Sequence, residues 1–220
     1  LEIARLLLDG GANVDKANAA DETPLVAAAH QRHADIARLL LDRGANVDAA
    51  RDDGATPLML ACENDRVEMA RLFLDRGADV DKAMGDGTTP LAMSCHASSV
   101  EMARLLLSRG ADFEKASEED ATPLYISCQE GDLEVARLLV EKGADVDKAI
   151  DDGATPLYVS CDRGHVELAR LLLDAGADLE KATEEGASPL FVACESNHAD
   201  VARLLLARGA NRNTAQHDGG

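Results

Sequence analysis

The chain has 220 residues, of which 46% are apolar and 2% aromatic, with no Trp and a net charge of −19. That excess of acid excludes a nucleic-acid backbone or an anionic membrane surface as the expected partner, because both are met by Lys and Arg. The apolar content is ample for a core built of Leu, Ala and Val, and no apolar run approaches the roughly 18 residues of a membrane-spanning helix.

Leu1–Gly10 reads as a helix with an apolar face, not as a signal peptide. Its Ala-Arg-Leu, at Arg5, returns around Arg38, Arg71, Arg104, Arg137, Arg170 and Arg203, each 33 residues on from the one before. Next comes a Gly-Ala column that starts at Gly11 and keeps the same step to Gly209. A finger-like hairpin is expected after it, with Gly54, Gly87, Gly153 and Gly186 at the turns. Thr23–Pro24–Leu25 then opens a short helix, with Thr as N-cap and Pro at the first helical position. Pro57, Pro90, Pro123, Pro156 and Pro189 repeat that start, and they complete the chain's six prolines. A turn needing positive φ follows at Arg32, Asp65, Ser98, Gly131, Gly164 and Asn197. Asp and Asn tolerate that conformation, whereas Arg32 and Ser98 are expected to be strained. The second helix, for instance Val166–Ala175, carries Val166, Ala169, Leu172 and Leu173 at helical spacing. Arg170 stands between Glu167 and Asp174 and reads as the middle of a solvated ion-pair ladder along the helix. Helices this short are not stable alone, so stability must come from stacking.

Self-similarity at a fixed period of 33 residues marks a stacked-repeat solenoid. In its Thr-Pro-Leu, Gly-His, Ala-Arg-Leu-Leu-Leu and Gly-Ala-Asp columns the chain resembles the ankyrin-repeat family over almost its whole length. The resemblance implies an all-α repeat solenoid of helix-turn-helix units with β-hairpin fingers. The expected organisation is one array over 1–220: a partial repeat at 1–11, six full repeats over 12–209 and a short polar tail at 210–220.

Cys62, Cys95, Cys128, Cys161 and Cys194 keep the same period. Equivalent helices in a stack lie roughly 8–10 Å apart, too far for a disulfide, whose Cα atoms need about 7 Å or less. Five buried thiols are therefore expected, and they point to a reducing, intracellular and cytoplasmic setting. No catalytic constellation is found, so the chain reads as a non-enzyme without cofactor or metal. His30 and His33 are separated by the inter-helix turn, and Cys95 and His96 point to different sides. A calcium role for the Asp-Asp-Gly tips lacks the loop spacing such sites need.

In the resembled family the recognition face is made of finger tips and the exposed end of the first helix. Carried over, these positions are Asp52, Asp53, Glu63, Asp86, Glu118, Glu119, Glu130, Asp151, Asp152, Asp162, Arg163, Glu184, Glu185 and Glu195. Lys16, Lys82, Lys115, Lys148 and Lys181 at the finger bases offset part of this charge. The expectation is a protein-interaction module whose concave face takes a basic or donor-rich protein. The alternatives are an architectural spacer, or a regulatory segment of a larger enzyme or channel. Where the family commonly has His after Thr-Pro-Leu, this chain has Val26, Met59, Ala92, Tyr125, Tyr158 and Phe191. These pack between repeats, or the aromatic three form an apolar strip beside the acids. Neither terminal repeat has a clear polar cap, so end-to-end association is a further expectation.

Overall fold

The computed structural model describes residues 1–117 and 119–213. Each repeat opens with the same local chemistry. Thr23 Oγ1 accepts the Val26 N–H at 3.3 Å, and Pro24 occupies the first helical position, where its missing N–H costs nothing. Thr56, Thr89, Thr122, Thr155 and Ser188 cap in the same way, onto the amides of Met59, Ala92, Tyr125, Tyr158 and Phe191. The expected positive φ after the first helix is present throughout: 65° at Arg32, 51° at Asp65 and Ser98, 81° at Gly131, 75° at Gly164 and 60° at Asn197.

The chain forms two compact units, Leu1–Asp112 and Phe113–Gly220. The first holds α1 (Glu2–Asp9) and then three helix pairs: α2 (Pro24–His30) with α3 (Ala34–Asp42), α4 (Pro57–Glu63) with α5 (Val67–Asp75), and α6 (Pro90–His96) with α7 (Val100–Ser108). The second holds α8 (Pro123–Glu130) with α9 (Leu133–Lys142), α10 (Pro156–Asp162) with α11 (Val166–Asp174), and α12 (Pro189–Glu195) with α13 (Ala199–Ala207). Within each unit like packs on like. In the first, α4 lies between α2 and α6; in the second, α10 lies between α8 and α12, and α11 between α9 and α13. The fold is thus an all-helical repeat solenoid.

The fingers fold back like hairpins, without β-strands among the described residues. Each closes on one tight turn. Ile150 N–H reaches the Ala154 carbonyl at 3.1 Å and Gly153 N–H the Ile150 carbonyl at 2.9 Å. The chain then enters the next helix, which leaves no length for a ladder.

Core positions differ in detail from the sequence expectation. On α11 the buried stripe is Leu168, Ala169 and Leu172, while Val166 and Leu173 are half-buried. The helix is covered by α10 on one side and by α9 and α13 on its flanks, which draws Leu168 inward. The ion pairs also run differently. Arg170 does meet Glu167 at 3.4 Å, but Asp174 pairs with Arg208 of the next repeat at 2.8 Å. Asp9, Asp42 and Asp75 likewise pair with Arg43, Arg76 and Arg109, at 2.8–2.9 Å. These arginines stand just past a helix end, where the backbone carries them over the preceding repeat.

A second inter-repeat ladder runs through the loops. The carboxylates of Asp15, Asp48 and Asp81 accept the N–H of Asn46, Asp79 and Asp112, 31 residues on, at 3.0–3.1 Å. In the second unit Glu114, Asp147 and Glu180 do the same for Asp145, Asp178 and Asn211, at 2.8–2.9 Å. A charged acceptor on a backbone N–H is among the stronger hydrogen bonds. All five cysteines are thiols; four are buried, and Cys194 departs from the expectation by being exposed, on a cleft that it lines with His198 and Leu206. Leu1, and Ile3, Leu6 and Leu7 on α1, are also exposed, at 49–74%.

Candidate partner-binding face

Finger geometry starts with the tip carboxylates, which have a structural task before any other. Asp53 accepts the Ala55 N–H at 3.0 Å, Asp86 the Thr88 N–H at 2.9 Å and Asp152 the Ala154 N–H at 2.8 Å. Each is a local turn in which the side chain holds the backbone two residues on. The bond favours the ionised form, so the turn amides hold the Asp53 and Asp86 carboxyls below the usual range. Asp52 is shifted the other way: a hydrogen bond and like charge from Asp21 raise it.

Neighbouring fingers then stack by backbone contact. Asp53 carbonyl accepts the Gly85 N–H at 3.4 Å, and Asp152 carbonyl accepts the Glu184 N–H at 2.8 Å. Gly153 has φ 86°, and a Cβ there would lie 3.0 Å from Glu184 N. Lys82 and Lys181 donate to the carbonyls of Asp48 and Asp147, at 3.1 and 2.7 Å. Two of the finger-base cations are therefore spent on the stack.

In Leu1–Asp112 this arrangement brings Asp53 and Glu63 together on one cleft of about 180 Å³, lined also by His30, Arg51, Met59 and Met84. Asp53 is paired there with Arg51. Asp52, Glu63 and Asp86 are exposed. In Phe113–Gly220 the exposed acids are Glu119, Glu130, Asp151, Asp152, Glu184, Glu185 and Glu195, with Asp162 half-buried. Arg163 is exposed and meets Asp162 at 3.8 Å. Glu118 lies outside the described residues.

The column after Thr-Pro-Leu divides by unit. Val26, Met59 and Ala92 are buried in the first. In the second Tyr125 is buried to 8% exposure, while Tyr158 and Phe191 are half-buried beside the acids. Burial, then the charge of Asp152, pushes Tyr125 up to about 12. Tyr158 is raised by burial first and then by Asp162, Glu195, Asp152 and Glu185.

The histidine column serves the stack. A Cβ on Gly131 would lie 2.8 Å from the His165 ring, and one on Gly164 would lie 2.5 Å from His198 Nδ1. His198 Nε2 is 2.9 Å from the Asp162 carbonyl. Where the pair is not Gly–His, Asp65 accepts from the Ser99 hydroxyl instead. Among the described residues no three His, Cys, Asp or Glu side chains gather as a metal site, and no helix is long and apolar enough to cross a membrane.

Sequence reasoning missed the structural carboxylates. Asp15, Asp48, Asp81, Glu114, Asp147 and Glu180 form a column at the repeat period, so the signal was present. No curated protein matches the chain. A family model of ankyrin repeats, three copies to the model, matches residues 1–84, 80–150 and 146–216. Ankyrin repeats are generally protein–protein interaction modules. With nearly its whole length matched, and with capped helix pairs and turn-closed fingers in each unit, the chain belongs to the ankyrin-repeat family.

Proposed function

We propose that the chain is a non-enzymatic recognition module of the cell interior, which binds a basic protein surface on the faces formed by its finger tips and first-helix ends. The observation that supports this is how the negative charge is divided. The loop acids are committed to inter-repeat amides, and the second-helix acids Asp9, Asp42, Asp75 and Asp174 to arginines. By contrast, Glu63 stands exposed in Leu1–Asp112, and Asp151, Glu184, Glu185 and Glu195 stand exposed in Phe113–Gly220. Charge of one sign on one face raises encounter rates with an opposite partner and repels acidic ones.

The test is a hydrogen-exchange footprint with a protein recovered by affinity capture on this chain. Protection is expected at the fingers around 151–153 and 183–186 and at the ends of the first helices. Protection confined to α9, α11 and α13 overturns the reading.

A further inference from the structure

Tyr158 stands on α10, which packs between α8 and α12. Each of these helices carries a ring followed four residues later by a polar or acidic side chain: Tyr125 and Gln129, Tyr158 and Asp162, Phe191 and Glu195. Residues four apart lie one above the other on a helix face. A row of rings therefore runs beside a row of polar ends, and the finger tips supply further carboxylates. Asp162 stands one turn on from Tyr158 on its own helix, Glu195 at the matching position of the neighbouring α12, and Asp152 and Glu185 on two adjacent fingers joined where the Asp152 carbonyl accepts the Glu184 N–H at 2.8 Å. Against them stands Arg163, an exposed side chain that meets Asp162 only at 3.8 Å. Tyr125 is almost covered, so the accessible ring surface is that of Tyr158 and Phe191.

An apolar partner covering this spot would strip water from several carboxylates with nothing in return. An ammonium is a compact, strongly hydrated charge. A guanidinium is flat, weakly hydrated, stacks on a ring face and carries five donors for surrounding carboxylates. We infer that the Tyr158 patch of the Phe113–Gly220 unit is a seat for an arginine of an extended basic peptide, with Asp152, Asp162, Glu185 and Glu195 taking its N–H groups. This rests on the acidic-face reading above and sharpens it. The next ring, Phe191 with Glu195, lies one helix further on, roughly 8–10 Å away. An extended peptide advances about 3.3–3.6 Å per residue, so a second arginine three residues along reaches it. The preferred sequence is Arg-x-x-Arg.

The experiment uses the whole chain and two fluorescein-labelled hexapeptides, Ala-Arg-Ala-Ala-Arg-Ala and its counterpart with lysine at both cationic positions. Affinity is read by anisotropy at low salt. The chain's two tyrosines are Tyr125 and Tyr158 and it has no Trp, so unlabelled peptide also reports through intrinsic tyrosine emission. The arginine peptide is expected to bind more tightly than the lysine peptide and to change that emission. Tyr158→Leu should weaken the arginine peptide about 2–5-fold, the span of an exposed cation–ring contact, while Tyr158→Phe keeps it. Equal affinity for the two peptides, no binding of the arginine peptide, or parental affinity in Tyr158→Leu overturns the seat. Should Tyr158→Leu fail to fold by circular dichroism, the arginine-over-lysine preference of the parent chain and of Tyr158→Phe decides alone. The combination Asp52→Asn, Glu63→Gln, Asp151→Asn and Glu184→Gln lies outside the seat. If it weakens binding while Tyr158→Leu does not, the acidic face stands and the seat falls; if neither weakens binding, both fall.

Discussion

Gly164 has no room for a side chain. Its φ of 75° is disfavoured for L residues, and a Cβ would lie 2.5 Å from His198 Nδ1. Gly164→Ala should therefore lower stability by at least about 1–2 kcal/mol, the cost of the left-handed backbone alone. Arg32 occupies the equivalent position with φ 65°, and Arg32→Gly should shift stability the other way. Urea midpoints check both, and a Gly164→Ala chain as stable as the parent would contradict the account of this column. The tyrosines give a second residue-scale expectation. Burial pushes the Tyr125 phenol up to about 12 from an ordinary 10.0, and Tyr158 is shifted in the same direction. A raised folded-state pKa means that the unfolded chain loses its proton first. The contribution of Tyr125 is then full below pH 10 and is lost as pH rises from there through about 12, and that of Tyr158 runs in the same direction. A spectrophotometric titration should show both phenols ionising above the range of free tyrosine until the fold is lost.

At the scale of helices and fingers, packing decides which cysteines meet solvent. Cys62, Cys95, Cys128 and Cys161 are buried on their first helices, whereas Cys194 on α12 is exposed. Burial pushes the Cys161 thiol up to about 12 and Cys62 in the same direction, which suppresses the reactive thiolate. A thiol reagent should label one site quickly in the native chain, mapped to Cys194, and five after denaturation without reductant. More than one fast site, or fewer than five in denaturant, would contradict this. Much of the element layout was legible in the residues. Thr-Pro-Leu named the caps, and the turn column named its positive φ even at Arg32 and Ser98. What local patterns hid were partners 31–34 residues away, carboxylates spent on turn amides, and clefts made by packing. Asp174 sits four residues after Arg170 and looks like its partner, yet pairs with Arg208. Asp152 looks like a free tip acid, yet holds the Ala154 N–H. Glu63 and Asp53 share a cleft that only the stacking of fingers on helices creates.

Across the whole molecule the net charge of −19 is not one property but several. Part of it is structural, held on amides and arginines between repeats, and neutralising that part should weaken the stack. Of the remainder, a part lies exposed along the fingers and first-helix ends, where it costs self-repulsion unless something basic meets it. Reversals intended to probe recognition must spare Asp152, because Lys cannot accept the Ala154 N–H. Asp151→Lys, Glu184→Lys and Glu185→Lys together leave that bond in place. The control is Glu167→Gln with Arg170→Gln, which removes an exposed second-helix pair worth little to stability. Screening acts over about 8 Å at physiological ionic strength, so attraction across an open face weakens steeply with salt. The decisive measurement is the association rate of a captured native partner as a function of ionic strength, for the parent chain, the triple reversal and the control. The parent and the control should associate fast at low salt and slow down together as salt rises, while the triple reversal starts slower and depends less on salt. Rates and salt slopes that are the same for all three chains would place recognition elsewhere on the molecule.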